Sequence, residues 1–248
     1  MFKRKKKETE YIQQSEVGEY WDPPKEEMSR RKKIILAVIS VSMVLVIGFS
    51  AIFFSMFYVK KEYEYVSAFT DLPDPVQIES SGEFSQILDD YEINYEIKAE
   101  YTITGLVVEK YYYFPSSMIN KISRYDLGIV WGALLGEDLK DTMKFKNKGN
   151  RFLHYTYKNS LISKLGSRDA IVNSLSNNHM IHSSDYILKC LRNVREGDYI
   201  QVKGYLVYMS YSNDNSRGTW NSSLSRTDHG DGACEIIYVT SITWLKLK

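Results

Sequence analysis

The chain has 248 residues, 44% of them hydrophobic, and a formal net charge of +1 at pH 7. This length suffices for one or two domains with a substantial core. A charge this close to zero excludes the basic excess typical of a general nucleic-acid-binding protein, so we expect no nucleic acid among the partners. The 20 tyrosines favour an ordered, strand-rich fold, because aromatic side chains suit a half-buried pleated surface.

An apolar segment at residues 34–59 holds no charged side chain in 26 positions. Since about 20 helical residues, each rising about 1.5 Å, already cross a hydrocarbon core of about 30 Å, this segment predicts a transmembrane helix. A buried helix of a soluble protein would carry a polar stripe, and a cleaved signal peptide would have a shorter apolar region and a shorter leader. Residues 1–33 form a basic tail that is too small and too charged to fold alone.

The charges on either side of this segment predict its orientation. Ten lysines and arginines lie within residues 1–33, whereas only Lys60 and Lys61 follow the segment before a run of acidic residues. Basic residues near the ends of a span stay cytoplasmic, so the amino terminus is expected in the cytoplasm and residues 60–248 outside it. We therefore predict a single-pass protein of the plasma (inner) membrane, with the lipid bilayer as its first partner.

Residues 60–92 are predicted to form a stalk, because Pro73 and Pro75 interrupt regular structure there. Within that stalk, residues 84–91 suggest a short helix. A folded extracytoplasmic domain is then expected over residues 93–248.

Three segments of the folded domain have the alternating, aromatic-rich pattern of β-strands: residues 93–112, 197–211 and 234–247. We expect them in one antiparallel sheet, with Gly105 marking a bulge or a sharp bend in the first strand. Residues 143–158 are predicted to form a hairpin that turns at 148–150, and residues 167–181 and 183–197 are predicted to be helical. The predicted fold class is α+β, a mainly antiparallel, β-barrel-like domain with short helical insertions.

Four segments carry a family resemblance: DLGIVWG at 126–132, NHMI at 178–181, GDYIQVKGYLV at 197–207 and WNSSLSRTDHGDGACE at 220–235. They resemble an uncharacterised family of bacterial exported or membrane-anchored proteins, whose members carry D-L-x-x-x-W-G, N-x-H-x-I and W-x-S-S-x-T-R-x-D-x-G-x-G-A-C-E segments. The resemblance covers residues 95–244 and departs at His182, where the family pattern has proline, and at Ser225, where it has threonine. It implies a location in the bacterial cell envelope and supplies no activity.

The segment at 220–235 favours a binding site as its first interpretation. Glycines and aspartates are typical of a structured loop, and a charge-assisted pair between Arg226 and Asp228 would hold that loop against the sheet. With Asp126, Trp131 and His179 nearby, the loop would form a shallow recognition surface. The domain is then a non-catalytic envelope binding or assembly module, whose partner is another envelope protein or a cell-wall component. The sequence favours this interpretation.

Cys234 supports an enzymatic alternative. A cysteine nucleophile requires a base, which His179 or His229 would supply. The amino-terminal anchor, the expected β-barrel and a histidine well upstream of a cysteine also resemble the sortases, and that likeness implies a cysteine transpeptidase or hydrolase acting at the cell envelope. The chain departs from the sortases in two respects, since no T-L-x-T-C word precedes Cys234 and no arginine follows it. Whether the protein is an enzyme therefore stays open.

A metal site is a further alternative. His179 and His182 have the H-x-x-H spacing of a ligand pair, and the remaining ligands would come from Asp228, His229, Cys234 or Glu235. Neither a paired cysteine motif nor a clear helical frame supports such a site, so we expect no metal and no cofactor.

The two cysteines leave one pairing open. Cys190 and Cys234 would be able to form a disulfide in an extracytoplasmic compartment. Cys190 is better interpreted as a small buried apolar residue of a helix.

Overall fold

The computed structural model describes residues 28–225 and 234–248, and the chain divides into two compact units, Met1–Met56 and Phe57–Lys248. Helix α1 (Arg30–Phe57) makes up nearly all of the described part of the first unit; it begins four residues ahead of the predicted membrane segment and ends two residues before the end of that segment. Within Arg30–Ser55, the most apolar stretch of 18 residues has a mean hydropathy of 2.7, and none of it is buried in the protein. By length and composition this helix is able to cross a membrane, whereas the core helix of a soluble protein would be mostly buried.

The second unit alternates strands with short helices. In chain order its elements are β1 (Tyr63–Val66), β2 (Val76–Leu88), β3 (Tyr91–Tyr112), α2 (Met118–Ile122), β4 (Tyr125–Val130), α3 (Leu139–Thr142), β5 (Met143–Asn147), β6 (Leu153–Tyr157), α4 (Asn159–Leu165), α5 (Arg168–Val172), β7 (Leu175–His182), α6 (Asp185–Asn193), β8 (Tyr199–Ser212), β9 (Arg217–Asn221) and β10 (Glu235–Leu247). Single turns of 3₁₀-helix follow β1 at Phe69–Asp71 and β4 at Gly132–Gly136.

One sheet of eight strands dominates the described part of this unit, and β5 and β6 form a separate hairpin that turns where predicted. In the large sheet the pairings close a ring, since β3 pairs with β8, β8 with β10, β10 with β7, β7 with β4, and β4 again with β3. These pairings are antiparallel except β7–β10, and β1 adds a second parallel pairing on β10. The architecture is therefore α+β and mostly antiparallel, as predicted.

The predicted union of three strands in one antiparallel sheet is confirmed, because β3 pairs with β8 and β8 pairs with β10. Two glycines allow the long strands β3 and β8 to pair with several neighbouring strands at once. A Cβ on Gly105 would lie 2.2 Å from the carbonyl oxygen of Val130, and one on Gly204 would lie 2.2 Å from that of Tyr238. Gly105 therefore marks a close backbone approach, and the register irregularities of β3 fall on either side of it.

Two predictions of helix are wrong. Residues 84–88 belong to strand β2, where alternate side chains from Phe84 to Leu88 are half-buried against the sheet, and Asp89 turns the chain with a φ of +55°. Residues 175–182 form strand β7 rather than a helix, because the chain there is paired on both sides by β4 and β10. Only α5, capped by the Ser167 hydroxyl, is helical in that segment. Within the expected stalk, β1 and β2 are both strands of the large sheet.

Helix α6 begins where predicted and ends at Asn193, four residues before the predicted end. The Ser184 hydroxyl accepts a hydrogen bond from the Ile187 N–H and caps the first turn. At the other end Lys110 Nζ of β3 donates to three backbone oxygens within 2.9 Å, those of Leu191, Arg192 and Val194. Burial lowers the pKa of Lys110 to about 8.

Apolar clusters cover both faces of the adjacent parallel strands β7 and β10. Met180 and Ile237 belong to the main cluster on one face, while Ile181 and Ile236 belong to a second cluster on the other. Since side chains alternate along a strand, His179 and Cys234 share the face of Ile181 and Ile236.

Candidate active site

Strand register brings three residues named from the sequence to one face of the sheet. Asp126 of β4 lies directly opposite His179 of β7 in an antiparallel pairing. On the other side of β7, Asn178 pairs with Glu235, so Cys234 lies level with Asn177 at the entrance to β10. Asn177 Nδ2 is 3.5 Å from Cys234 Sγ, which agrees with the two residues lying side by side.

Asp126 and His179 form a buried ion pair. Asp126 Oδ1 lies 2.9 Å from His179 Nδ1, and the two side chains are 1% and 2% exposed. The ring N–H is not aligned for a linear hydrogen bond, so attraction between charges carries the contact. Burial alone lowers the pKa of His179, but the Asp126 carboxylate and the contact with Cys234 outweigh burial and raise this pKa to about 9.

Cys234 completes a row of three side chains. Its half-buried side chain lies close enough to the imidazole of His179 to raise the pKa of that ring. With its raised pKa, the imidazole is protonated at neutral pH and places a positive charge beside the sulfur. The order carboxylate, imidazole, thiol is that of an activated cysteine nucleophile.

Arg151 enters the site from the turn between β5 and β6. One guanidinium nitrogen lies 2.7 Å from Asp126 Oδ1. The other donates to Asn120 Oδ1 at 2.7 Å and to the backbone oxygen of Ser123 at 2.8 Å. Asp126 Oδ1 is thus shared by two cationic groups, which stabilises its charge away from water.

Aromatic rings pack against both of these cations. The Arg151 guanidinium carbon lies 3.5 Å from the ring centre of Tyr113 and 5.4 Å from that of Trp220. On the other side, the Trp220 ring centre is 4.5 Å from that of His179. The π faces of these rings attract cationic neighbours. The half-buried Trp220 also shields the protonated imidazole from solvent.

The chain after β9 fixes the backbone of Cys234. The Ser222 N–H donates to the oxygen of Val207, and the Ser223 N–H donates to the oxygen of Cys234, each at 3.1 Å. The Ser222 hydroxyl accepts from the Ile236 N–H at 3.0 Å. A cleft of about 450 Å³ lies against this segment, lined by Glu96, Lys98, Tyr208, Asn221 and Leu224.

The structure separates some of the residues predicted for the site. Asp126, His179 and Cys234 come together, whereas Trp131 lies at the far end of β4 in the main core, 5% exposed. An offset of five residues along a strand corresponds to about 17 Å and the opposite face. Trp131 therefore lies in the core and does not share a surface with His179. Arg226, Asp228 and His229 lie outside the described residues.

The predicted metal and disulfide alternatives gain no support. His182 lies three positions from His179 on a strand, so the two rings point to opposite faces. Among residues 28–225 and 234–248, no group of three histidine, cysteine or acidic side chains is arranged to hold a metal ion. Cys190 and Cys234 are both free thiols, and Cys190 is buried in α6, as expected for a small apolar residue.

Comparison of the chain with protein-family models, with curated proteins and with solved structures found no match.

Proposed function

We propose that the protein is a membrane-anchored cysteine hydrolase or transpeptidase with Cys234 as its nucleophile. One observation carries the proposal: the thiol of Cys234 contacts the imidazole of His179, which contacts the buried carboxylate of Asp126. A titratable trio with a strongly raised histidine pKa is more typical of a catalytic site than of a recognition surface. Helix α1 anchors the enzyme, the closed ring of strands is a small β-barrel, and the domain lies outside the cytoplasm at the cell envelope.

The first half of the reaction uses the imidazolium as an acid. The Cys234 thiolate attacks the carbonyl carbon of an amide or ester, forming a carbon–sulfur bond and an oxyanion. When this intermediate collapses, the bond from the carbonyl carbon to nitrogen or oxygen breaks, and His179 gives its proton to the leaving group. The product is a thioester on Cys234 and a neutral imidazole.

The second half returns the enzyme to its starting state. The neutral His179 takes a proton from water or from an acceptor amine as that group attacks the thioester carbonyl. The carbon–sulfur bond breaks and the thiolate leaves beside the imidazolium. Asp126 keeps its contact with the imidazole throughout and holds the ring in place, as the carboxylate of such a trio does.

The side-chain amide of Asn177 lies next to the sulfur of Cys234. Its side-chain nitrogen donates to the Arg151 backbone oxygen at 2.7 Å and lies 3.5 Å from Cys234 Sγ. An amide N–H at this position stabilises negative charge on the sulfur, or on an oxyanion formed next to it.

Alkylation of the full chain in detergent tests the nucleophile. Iodoacetamide is expected to modify Cys234 at a rate that changes little from pH 6 to pH 8, because the imidazolium maintains the thiolate. An ordinary thiol, with a pKa of about 8.5, gains reactivity about tenfold per pH unit in this range. The buried Cys190 serves as the internal control in the same protein. In His179→Ala, the rate at which Cys234 is modified is expected to rise steeply with pH, as it does for an ordinary thiol. A steep profile for Cys234 in the unmodified protein would refute the proposal.

Acyl transfer is tested with a nitrophenyl ester as a general acyl donor. Mass spectrometry is expected to find the acyl group on Cys234, and His179→Ala to slow its release by about 10²–10⁴-fold. If the protein is instead a non-catalytic recognition module, the thiol of Cys234 is not needed for function. In that case Cys234→Ser leaves function intact, while Arg226→Ala loosens the domain and weakens partner binding.

A further inference from the structure

Arg151 reaches both ends of the row of side chains at the site. Its guanidinium lies 2.7 Å from Asp126 Oδ1, and its backbone oxygen accepts the side-chain N–H of Asn177 at 2.7 Å. Asp126 contacts His179, and Asn177 lies beside the sulfur of Cys234. One residue outside the large sheet thus contacts the supports of both the imidazole and the thiol.

The backbone of Arg151 is held in a conformation that the residue does not prefer. Its φ is +67°, in the left-handed region that is uncommon for residues with a side chain. The surroundings fix it there, because its N–H donates to the Tyr113 hydroxyl at 3.1 Å and the Tyr113 ring lies under the guanidinium. Such strain persists only where several contacts enforce it, and it is common at functional sites.

We propose that Arg151 is a positioning residue that sets the protonation balance of the catalytic row. The inference rests on the proposed role of Cys234 and His179. Asp126 Oδ1 accepts a hydrogen bond from Arg151 and contacts His179 at the same time, so Arg151 competes for the negative charge that holds the imidazolium. Without Arg151, the carboxylate would hold the proton on His179 more tightly, and a neutral imidazole would form only at higher pH.

Within the described part of the chain, the charged and titratable groups around the contact of His179 with Asp126 come from three elements. Asp126 lies on β4, Cys234 precedes β10, and Arg151 lies on the β5–β6 turn, while Tyr113 faces Asp126 and Arg151 from the end of β3. Burial and the Asp126 charge raise the pKa of Tyr113, so its hydroxyl stays neutral across the working range. Among these groups, Arg151 is the fixed positive charge that opposes protonation of His179.

The side chain is removed in Arg151→Met and its charge retained in Arg151→Lys, both in the full chain. NMR titration of the histidine rings, assigned with His179→Gln, measures the proton balance without any substrate. We expect Arg151→Met to move the titration of His179 upward by about one pH unit or more, and Arg151→Lys to move it less. Lys148→Met removes an exposed charge from the same turn and is expected to leave the titration unchanged.

The kinetic consequence separates positioning from a merely structural role. Because release of the thioester needs a neutral imidazole, the pH optimum of ester turnover is expected to move upward in Arg151→Met, with kcat reduced at pH 7 and KM little changed. If Arg151→Met does not fold, Asn120→Ala removes one partner of the guanidinium and is expected to give a smaller shift in the same direction.

The inference is overturned if Arg151→Met folds and the titration of His179 in it is unchanged. If only Asn120→Ala folds, an unchanged titration of His179 in that variant overturns it. The proposed function fails separately. If the titration moves while the thiol of Cys234 behaves as an ordinary one, Arg151 sets the proton balance of a site that is not an enzyme.

Discussion

Protonation of His179 is expected to stabilise the folded protein in a way that depends on pH. The pKa of His179 rises from its ordinary value of 6.5 to about 9 on folding. At about 1.4 kcal/mol per pKa unit, a rise of this size corresponds to about 3 kcal/mol. Because the folded state binds the proton more tightly, this contribution is complete below pH 6.5 and is lost as the pH rises through 9.

The substitution His179→Gln isolates this contribution. Urea unfolding of the full chain in detergent, followed by tryptophan fluorescence, gives the free energy of unfolding of both proteins at each pH. The difference between the unmodified protein and His179→Gln is expected to shrink by about 3 kcal/mol between pH 6 and pH 9.5. Lys110, whose lowered pKa makes stability rise with pH above about 8, is present in both proteins and cancels in the difference.

The control is His154→Gln, which removes a histidine of β6 that lies outside the site. It is expected to keep the full pH dependence of the unmodified protein. A difference between the unmodified protein and His179→Gln that stays constant from pH 6 to pH 9.5 would refute the reasoning, since it would mean that His179 binds its proton equally well in both states.

Two further predictions concern the fold and the membrane. Gly204→Ala is expected to lower the free energy of unfolding by about 1–3 kcal/mol, because the new Cβ meets the Tyr238 carbonyl oxygen at 2.2 Å, while Gly136→Ala, with open space around it, is expected to change it little. Urea unfolding of the two variants checks the contrast, and equal effects would argue against a tight approach at Gly204. Protease added to spheroplasts is expected to remove an epitope placed after residue 248 and to spare one placed before residue 1, and protection of the first would contradict the proposed orientation.

Patterns of hydrophobicity predict most of the fold where one face of an element is buried. In β3, β8 and β10 the alternation of apolar and polar residues is visible in the sequence, because each strand buries apolar side chains of its own. Strand β7 was missed because its central residues, Ser176 to His179, are polar and yet buried. A polar strand in the middle of a sheet has no local signature, since its partners rather than its own side chains determine its conformation.

The site was predicted in part, for a related reason. Asp126, His179 and Cys234 stand out as chemically unusual residues in distinctive segments, and Asn177 lies in the same segment as His179. Arg151 has no such signal, because it reaches Asp126 only through the docking of the β5–β6 turn and a left-handed backbone. Trp131 shares the DLGIVWG segment with Asp126, but an extended strand carries two residues of one segment to different faces and far apart.

The parallel pairing of β7 with β10 has a consequence for biogenesis. An antiparallel pair can form from a short hairpin, but these two strands are joined by a connection that contains α6, β8 and β9. The imidazole and the thiol therefore meet only after every other strand of the ring has been synthesised and β10 has docked. In a nascent or truncated chain the cysteine is an ordinary thiol, so the activation proposed for Cys234 requires a molecule whose synthesis has reached the end of β10.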